Sequence, residues 1–108
     1  MSPRIMYVVH VSVPLDQEDR WNRWYNAEHV PLGLEQPGFI EMRKFRSMSE
    51  GKNEAEYYML YELRNQAAYE NFVKSEDASV IRQHHLDAFG STVKISRMTW
   101  KETFRQNK

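Results

Sequence analysis

Hydrophobic and polar positions change period several times along the chain. Ile5 to Val13 (IMYVVHVSV) is rich in Val and alternates around His10 and Ser12, which predicts a strand buried on one face and partly on the other. Pro14 ends it. Asp16 suits an N-cap and Asp19 adds a second acid to the first turn, so a helix is expected to run from there to about Val30. The residue before Pro31 is pushed away from helical angles, and Leu32 to Gln36 reads as a second short helical turn. Pro37-Gly38 is turn punctuation.

Phe39 to Met48 alternates again, with Phe39, Glu41, Arg43 and Phe45 on one side and Ile40, Met42, Lys44 and Arg46 on the other. The polar run SEGKNEAE (49–56) reads as a hairpin loop, and YYMLYEL (57–63) as a strand dense in strand formers. Asn65 caps a helix that begins near Gln66 and turns Ala68, Tyr69 and Phe72 inward. Glu76 and Asp77 break or re-cap it. Val80 to Ala88 is a second helical piece, stopped by Gly90 at a C′ position. Thr92 to Phe104 is the last strand, and the tail RQNK (105–108) is expected to fray.

The order strand, helix, strand, strand, helix, strand predicts one α+β domain over residues 1–108, the ferredoxin-like βαββαβ pattern. Right-handed crossovers place both helical segments on one face of a four-stranded antiparallel sheet. The other face carries Met6, Val8, Met42, Leu60, Met98 and Trp100. An apolar face of this kind needs a cover, and a second copy of the chain supplies it, closing an α/β barrel as a homodimer.

Composition narrows the partners. Fifteen basic and fifteen acidic residues cancel in a chain of 108, so the basic excess of a nucleic-acid binder is absent. There is no cysteine, which excludes disulfides and thiolate metal sites. No signal peptide or membrane span is read from the N-terminus, so a cytoplasmic location is expected and no membrane partner. There is no HExxH, no paired-His spacing and no carboxylate cluster, so no metal site is expected, and the four glycines are scattered singly rather than forming a phosphate loop.

The chemistry concentrates in WYNAEHVP (24–31). On a wheel of about 100° per residue, Trp21, Tyr25 and Glu28 share one stripe, flanked by Trp24 and His29. A charge at Glu28 is costly on such a face unless paired. Glu28 is therefore expected to reach solvent, to pair with Arg43 or Arg97, or to face a cavity with its proton affinity raised by desolvation. His29 either caps a carbonyl freed by the proline or acts as general acid or base at the mouth of the cleft. His10 joins the same cleft if its register turns it to the helices, and otherwise lines the dimer barrel. His84 and His85 point about 100° apart, so only one turns inward, and a solvated pair is the plainer reading. Tyr57, Tyr58 and Tyr61 are core candidates, with one hydroxyl available to a pocket.

The pattern Trp24-Tyr25-x-x-Glu28-His29-x-Pro31, then Pro37-Gly38-Phe39 and a strand with Arg43, resembles the dimeric α/β-barrel superfamily, in particular its small EthD-like members. Tyr61-Glu62-Leu63 ahead of an Ala/Tyr/Phe helix, and Phe89-Gly90 before the last strand, fit the same layout across nearly the whole chain. The resemblance implies an active site in the cleft between sheet and helices, near His29, Trp24, Tyr25 and Glu28. It spans cofactor-independent monooxygenases, isomerases, cyclases and haem-handling proteins, so fold alone does not choose a chemistry. A haem ligand at His84 or His85 is the alternative it raises to a site without cofactor.

The leading expectation is a cofactor-independent cyclase, isomerase, lyase or O₂-using monooxygenase acting on a small aromatic or polyketide-like molecule. His29 and Glu28 would be the catalytic groups, with Trp21, Trp24, Tyr25, His10, Arg43 and Tyr61 holding the substrate. The alternatives are a non-catalytic small-molecule binder, and a structural protein whose cavity falls below about 300 Å³.

Overall fold

The structure is a computed structural model that describes residues 3–49 and 53–108. Strand β1 (Ile5–Pro14) leads through a short 3₁₀ turn (Leu15–Gln17) into α1 (Glu18–Trp24), a π-helical turn (Tyr25–His29) and α2 (Val30–Leu34). After β2 (Phe39–Arg46) and β3 (Glu54–Leu63) come α3 (Gln66–Lys74), α4 (Glu76–Phe89), a 3₁₀ turn (Gly90–Thr92) and β4 (Lys94–Lys101). All pairings are antiparallel in the order β2-β3-β1-β4, the ferredoxin-like arrangement expected from the sequence. Among the described residues no helix is long and apolar enough to cross a membrane.

The Val-rich β1 sits in the sheet interior because it pairs on both edges. Its Ile5, Tyr7, Val9, Val11 and Val13 face the helices and are buried, opposite Leu63, Tyr61, Met59, Tyr57 and Ala55 of β3. The even positions face the other side. There Arg43, Leu60, Val8 and Met98 form one cross-strand row, Phe45, Tyr58, His10 and Ser96 the next, and Glu62, Met6 and Trp100 a third. Trp100 and Phe45 are half exposed on this uncovered face.

Several local expectations are corrected. Asp16 lies in the 3₁₀ turn and makes no cap, and α1 starts at Glu18 without a side-chain cap. Glu18 instead ties α1 to the sheet, accepting from Arg46 Nε at 2.7 Å and from the Tyr57 hydroxyl. Arg46 above all holds the Glu18 carboxyl below its usual range. The register shifts between Phe39 and Glu41, so Phe39 and Met42 both face the helices and Met42 leaves the open face. Strand β3 begins at Glu54, earlier than expected, and β4 is the shorter Lys94–Lys101. Of the expected hairpin loop, residues 50–52 lie outside the described residues.

Other signals act as read. Asn65 Oδ1 accepts from the Ala68 amide at 2.9 Å and starts α3. Ser75 then re-caps, accepting from the Ala78 amide, with Glu76 and Asp77 filling the first turn of α4. Gly90, at φ +57°, ends that helix. Gly38 makes the turn before β2 at φ +87°, where a Cβ would come within 2.4 Å of Ala68 Cβ.

Candidate functional site

The helical path does not stop at Pro31. The Val30 amide bonds the carbonyl of Tyr25, five residues back, which widens the turn ahead of the proline. This makes room for a ring that would clash with a regular turn, and the helix continues to Leu34. It also re-phases the helix. Residues four apart drift by about 40° on a regular helix, so a run of three such steps should rotate off the sheet. The wide turn cancels part of that drift, and Trp21, Tyr25, His29 and Gly33 are all buried on one stripe. Glu28 falls on the solvent side and is exposed, paired with neither Arg43 nor Arg97.

Beneath this stripe lies a cavity between helices and sheet, lined among others by Tyr25, His29, Gly33, Tyr61, Arg82, His85 and Arg97. The void between side chains, its mouth included, is about 460 Å³, but the space open to the centre of a water-sized sphere is only about 30 Å³. The second figure governs what enters without side-chain movement, and it admits little more than ordered water. Gly33 permits the close approach: a Cβ there would stand 3.2 Å from Tyr61 Cε1. The hydroxyls of Tyr25 and Tyr61 bond each other at 2.9 Å. Burial pushes the Tyr61 phenol up to about 12 and raises that of Tyr25 well above its ordinary value, so both stay neutral.

Helix α4 meets the stripe with Ala78, Ile81, His85 and Phe89, a helical face at spacings of three and four. His85 is 2% exposed, and its Nε2 accepts from the Trp21 indole at 3.0 Å. Burial pushes its imidazolium down to about 4, with smaller contributions from Arg97 and His84. His84, half-buried, places Nδ1 2.9 Å from His29 Nδ1. The two rings are 8° from parallel and lie edge to edge, and Trp24 stacks on both, at 5.2 Å from His29 and 4.9 Å from His84. One nitrogen of that bond donates and the other accepts, so the pair shares a single proton there. Burial first, then His85, His84 and Arg97, holds the His29 imidazolium down to about 3. His29 is thus neutral at pH 7, with Nε2 as its remaining ring nitrogen.

Of the residues singled out from the sequence, His29, Tyr25 and Tyr61 come together at the cavity. Trp24 and Trp21 do not line it: the first covers the His pair from outside, and the second is packed solid and bonds His85. His10 and Arg43 lie on the opposite face of the sheet. His10 bonds Glu56 and Ser96, and Arg43 pairs with Glu41, because both alternate with the core positions. His84 and His85 are not a solvated pair. Arg82, His85 and Arg97 at the cavity were not among the substrate-holding positions, although the spacing 78, 81, 85, 89 already marks His85 as inward. As a haem site the residues do not fit: the inward His85 has its Nε2 committed to Trp21, and the cavity is far smaller than a porphyrin.

The chain belongs to the family described as a domain of unknown function, DUF4286, whose model matches residues 4–103. No curated protein matches it. Solved structures with the same fold include an EthD family protein from Bacillus halodurans (12% identity, 92% of this chain and 99% of that one, TM-score 0.69). A dimeric ferredoxin-like protein from an uncultured marine organism is similar at 16% identity over 97% of this chain and 100% of its own, TM-score 0.67. A variant of SnoaB, a cofactor-independent oxygenase from Streptomyces nogalater, shares 16% identity over 96% of this chain and 95% of its own, TM-score 0.56. Likeness at this identity establishes the fold.

Proposed function

We propose that the protein is a cofactor-independent acid–base enzyme that removes a proton from a small, largely apolar molecule seated between the helices and the sheet. The observation that carries this is the bond between buried, neutral His29 and half-exposed His84. A proton arriving at His29 Nε2 is matched by the Nδ1 proton passing to His84 Nδ1. His29 changes tautomer and remains neutral, so the burial that makes its imidazolium unfavourable does not oppose the step. The positive charge settles on His84, nearer solvent and against the face of Trp24, where a cation is favoured. Arg97 and the Tyr25–Tyr61 hydroxyl pair face the charge left on the substrate. The resulting carbanion or enolate is the common starting point for ring closure, isomerisation or reaction with O₂, and SnoaB is an oxygenase, of the last kind.

Two copies are proposed to pair through the open sheet face, where Leu60 and Met98 are partly exposed and Trp100 is half exposed within one chain. The free volume of about 30 Å³ favours a second reading, a structural protein whose aromatics fill a core and leave no ligand site. Incubating a panel of planar enolisable compounds in D₂O and reading deuterium uptake by mass spectrometry separates the two without knowledge of the product. Uptake catalysed by the protein and abolished in His29→Gln supports the enzyme. Binding without any uptake sinks it.

A further inference from the structure

Among the described residues the cavity lining contains two guanidiniums, Arg82 and Arg97, and no carboxylate. Two buried side-chain atoms lack a hydrogen-bond partner among the described residues, Arg82 Nε and His85 Nδ1, and both belong to residues that line this cavity. Both are donors. An indole N–H can only donate, so His85 Nε2 is the bare nitrogen and the ring proton sits on Nδ1. A guanidinium has no acceptor. An orphaned buried donor is costly, and folded proteins rarely leave one unserved. Here two lie three residues apart on α4, on side chains that line one void together with Arg97.

We infer that the cavity takes a planar organic acid, its carboxylate received by Arg82, His85 Nδ1–H and Arg97 and its flat apolar body lying among Tyr7, Tyr61 and Phe72. Lone pairs alone would serve the orphaned donors, but only an anion also gains from the charge of half-buried Arg82 and of Arg97 beside it. A cationic ligand is opposed by the same two charges. The rings that line the void favour a flat acid over a tetrahedral phosphate. The ligand enters with movement of side chains, and Arg97, exposed and lining the cavity, is the long side chain free to make it. An anion at this place also offsets the Arg97 charge that helps keep His29 from accepting a proton. The inference deepens the proposed reading of this same cavity and rests on it.

Isothermal titration calorimetry at pH 7 with benzoate and its neutral isostere benzamide tests the assignment on wild type, on the double variant Arg82→Gln/Arg97→Gln, and on His29→Gln. Benzoate is expected to bind at least about tenfold more tightly than benzamide, as charge-assisted hydrogen bonds require. The preference is expected to vanish in the double variant, with its melting temperature unchanged, and to persist in His29→Gln. Equal binding of the two probes, binding of neither (the donors then being served by ordered water), or a preference that survives the double variant overturns it. Deuterium uptake that needs His29, found together with no preference for the acid, would overturn the head-group assignment and leave the enzyme reading intact.

Discussion

His29 Nδ1 and His84 Nδ1 stand 2.9 Å apart in rings that lie within 8° of parallel, on adjacent helical segments more than fifty residues apart in sequence. The contact is possible because the π turn rotates His29 onto the face that meets α4. It joins a buried, neutral imidazole to one that reaches solvent, and His85 beside them is neutral for the same reason of burial.

Acid should therefore destabilise the fold well above the carboxylate range. His29 and His85 take protons only near pH 3 and 4 when folded, but near the ordinary value of 6.5 when unfolded. Between those limits the unfolded chain binds more protons, so stability falls as pH falls from 6.5 and is regained as it rises. Each group contributes a slope of at most about 1.4 kcal/mol per pH unit. Denaturant unfolding followed from pH 7 to 5 should show this loss, a window that lies above the range where Glu18 titrates. His29→Gln should remove about half of it. A flat profile in wild type would mean that neither ring is held neutral.

Trp21 is fully buried and gives its indole proton to His85. Trp21→Phe keeps a ring in the core but leaves His85 Nε2 unserved and opens part of the indole volume. A loss of about 2–4 kcal/mol is expected from the two together. In a domain of this size that lowers Tm by roughly 10–25 °C, read by differential scanning calorimetry. A change under a few degrees would place the stability of this helix elsewhere.

The strands, both long crossovers and the uncovered face were legible because each rests on a simple period. Val9 and Val11 announce an inward face by alternation, and Asn65 and Gly90 mark helix ends by their own chemistry. Errors arose where the backbone breaks its period. Glu28 and His29 exchange places because a wheel with a constant angle cannot register the wide turn at Tyr25–His29. Phe39 and Met42 share a face because the register slips between Phe39 and Glu41. Arg97 reaches the cavity through its pairing opposite Val9, a long-range register that residue spacing does not contain.

Leu60 lies beside Val8 on the uncovered face, in a row that ends in Arg43 and Met98. A carboxylate there would stand opposite Arg43, but taking it out of water between two sheets packed face to face carries a desolvation penalty that an arginine already paired with Glu41 offsets only in part. Leu60→Glu should convert a dimer of 13.0 kDa chains into monomers in sedimentation velocity, while far-UV circular dichroism is retained. Wild type sedimenting as a monomer at micromolar concentration would remove the barrel from consideration.

His84 gives the most direct test of the tautomer exchange. Gln at this position preserves a side chain able to hydrogen bond His29 but takes up no proton, so a proton received at His29 Nε2 would have to stay on a ring whose imidazolium is held down to about 3. With any substrate that wild type turns over, His84→Gln should lower kcat by about 10²-fold or more, the usual weight of one assisted proton transfer, while KM moves less than about threefold. A role in packing alone would shift Tm and KM and spare kcat. The outcome that sinks the relay is a kcat within twofold of wild type in a variant whose His29 still titrates as in the parent, followed by its imidazole resonances in NMR.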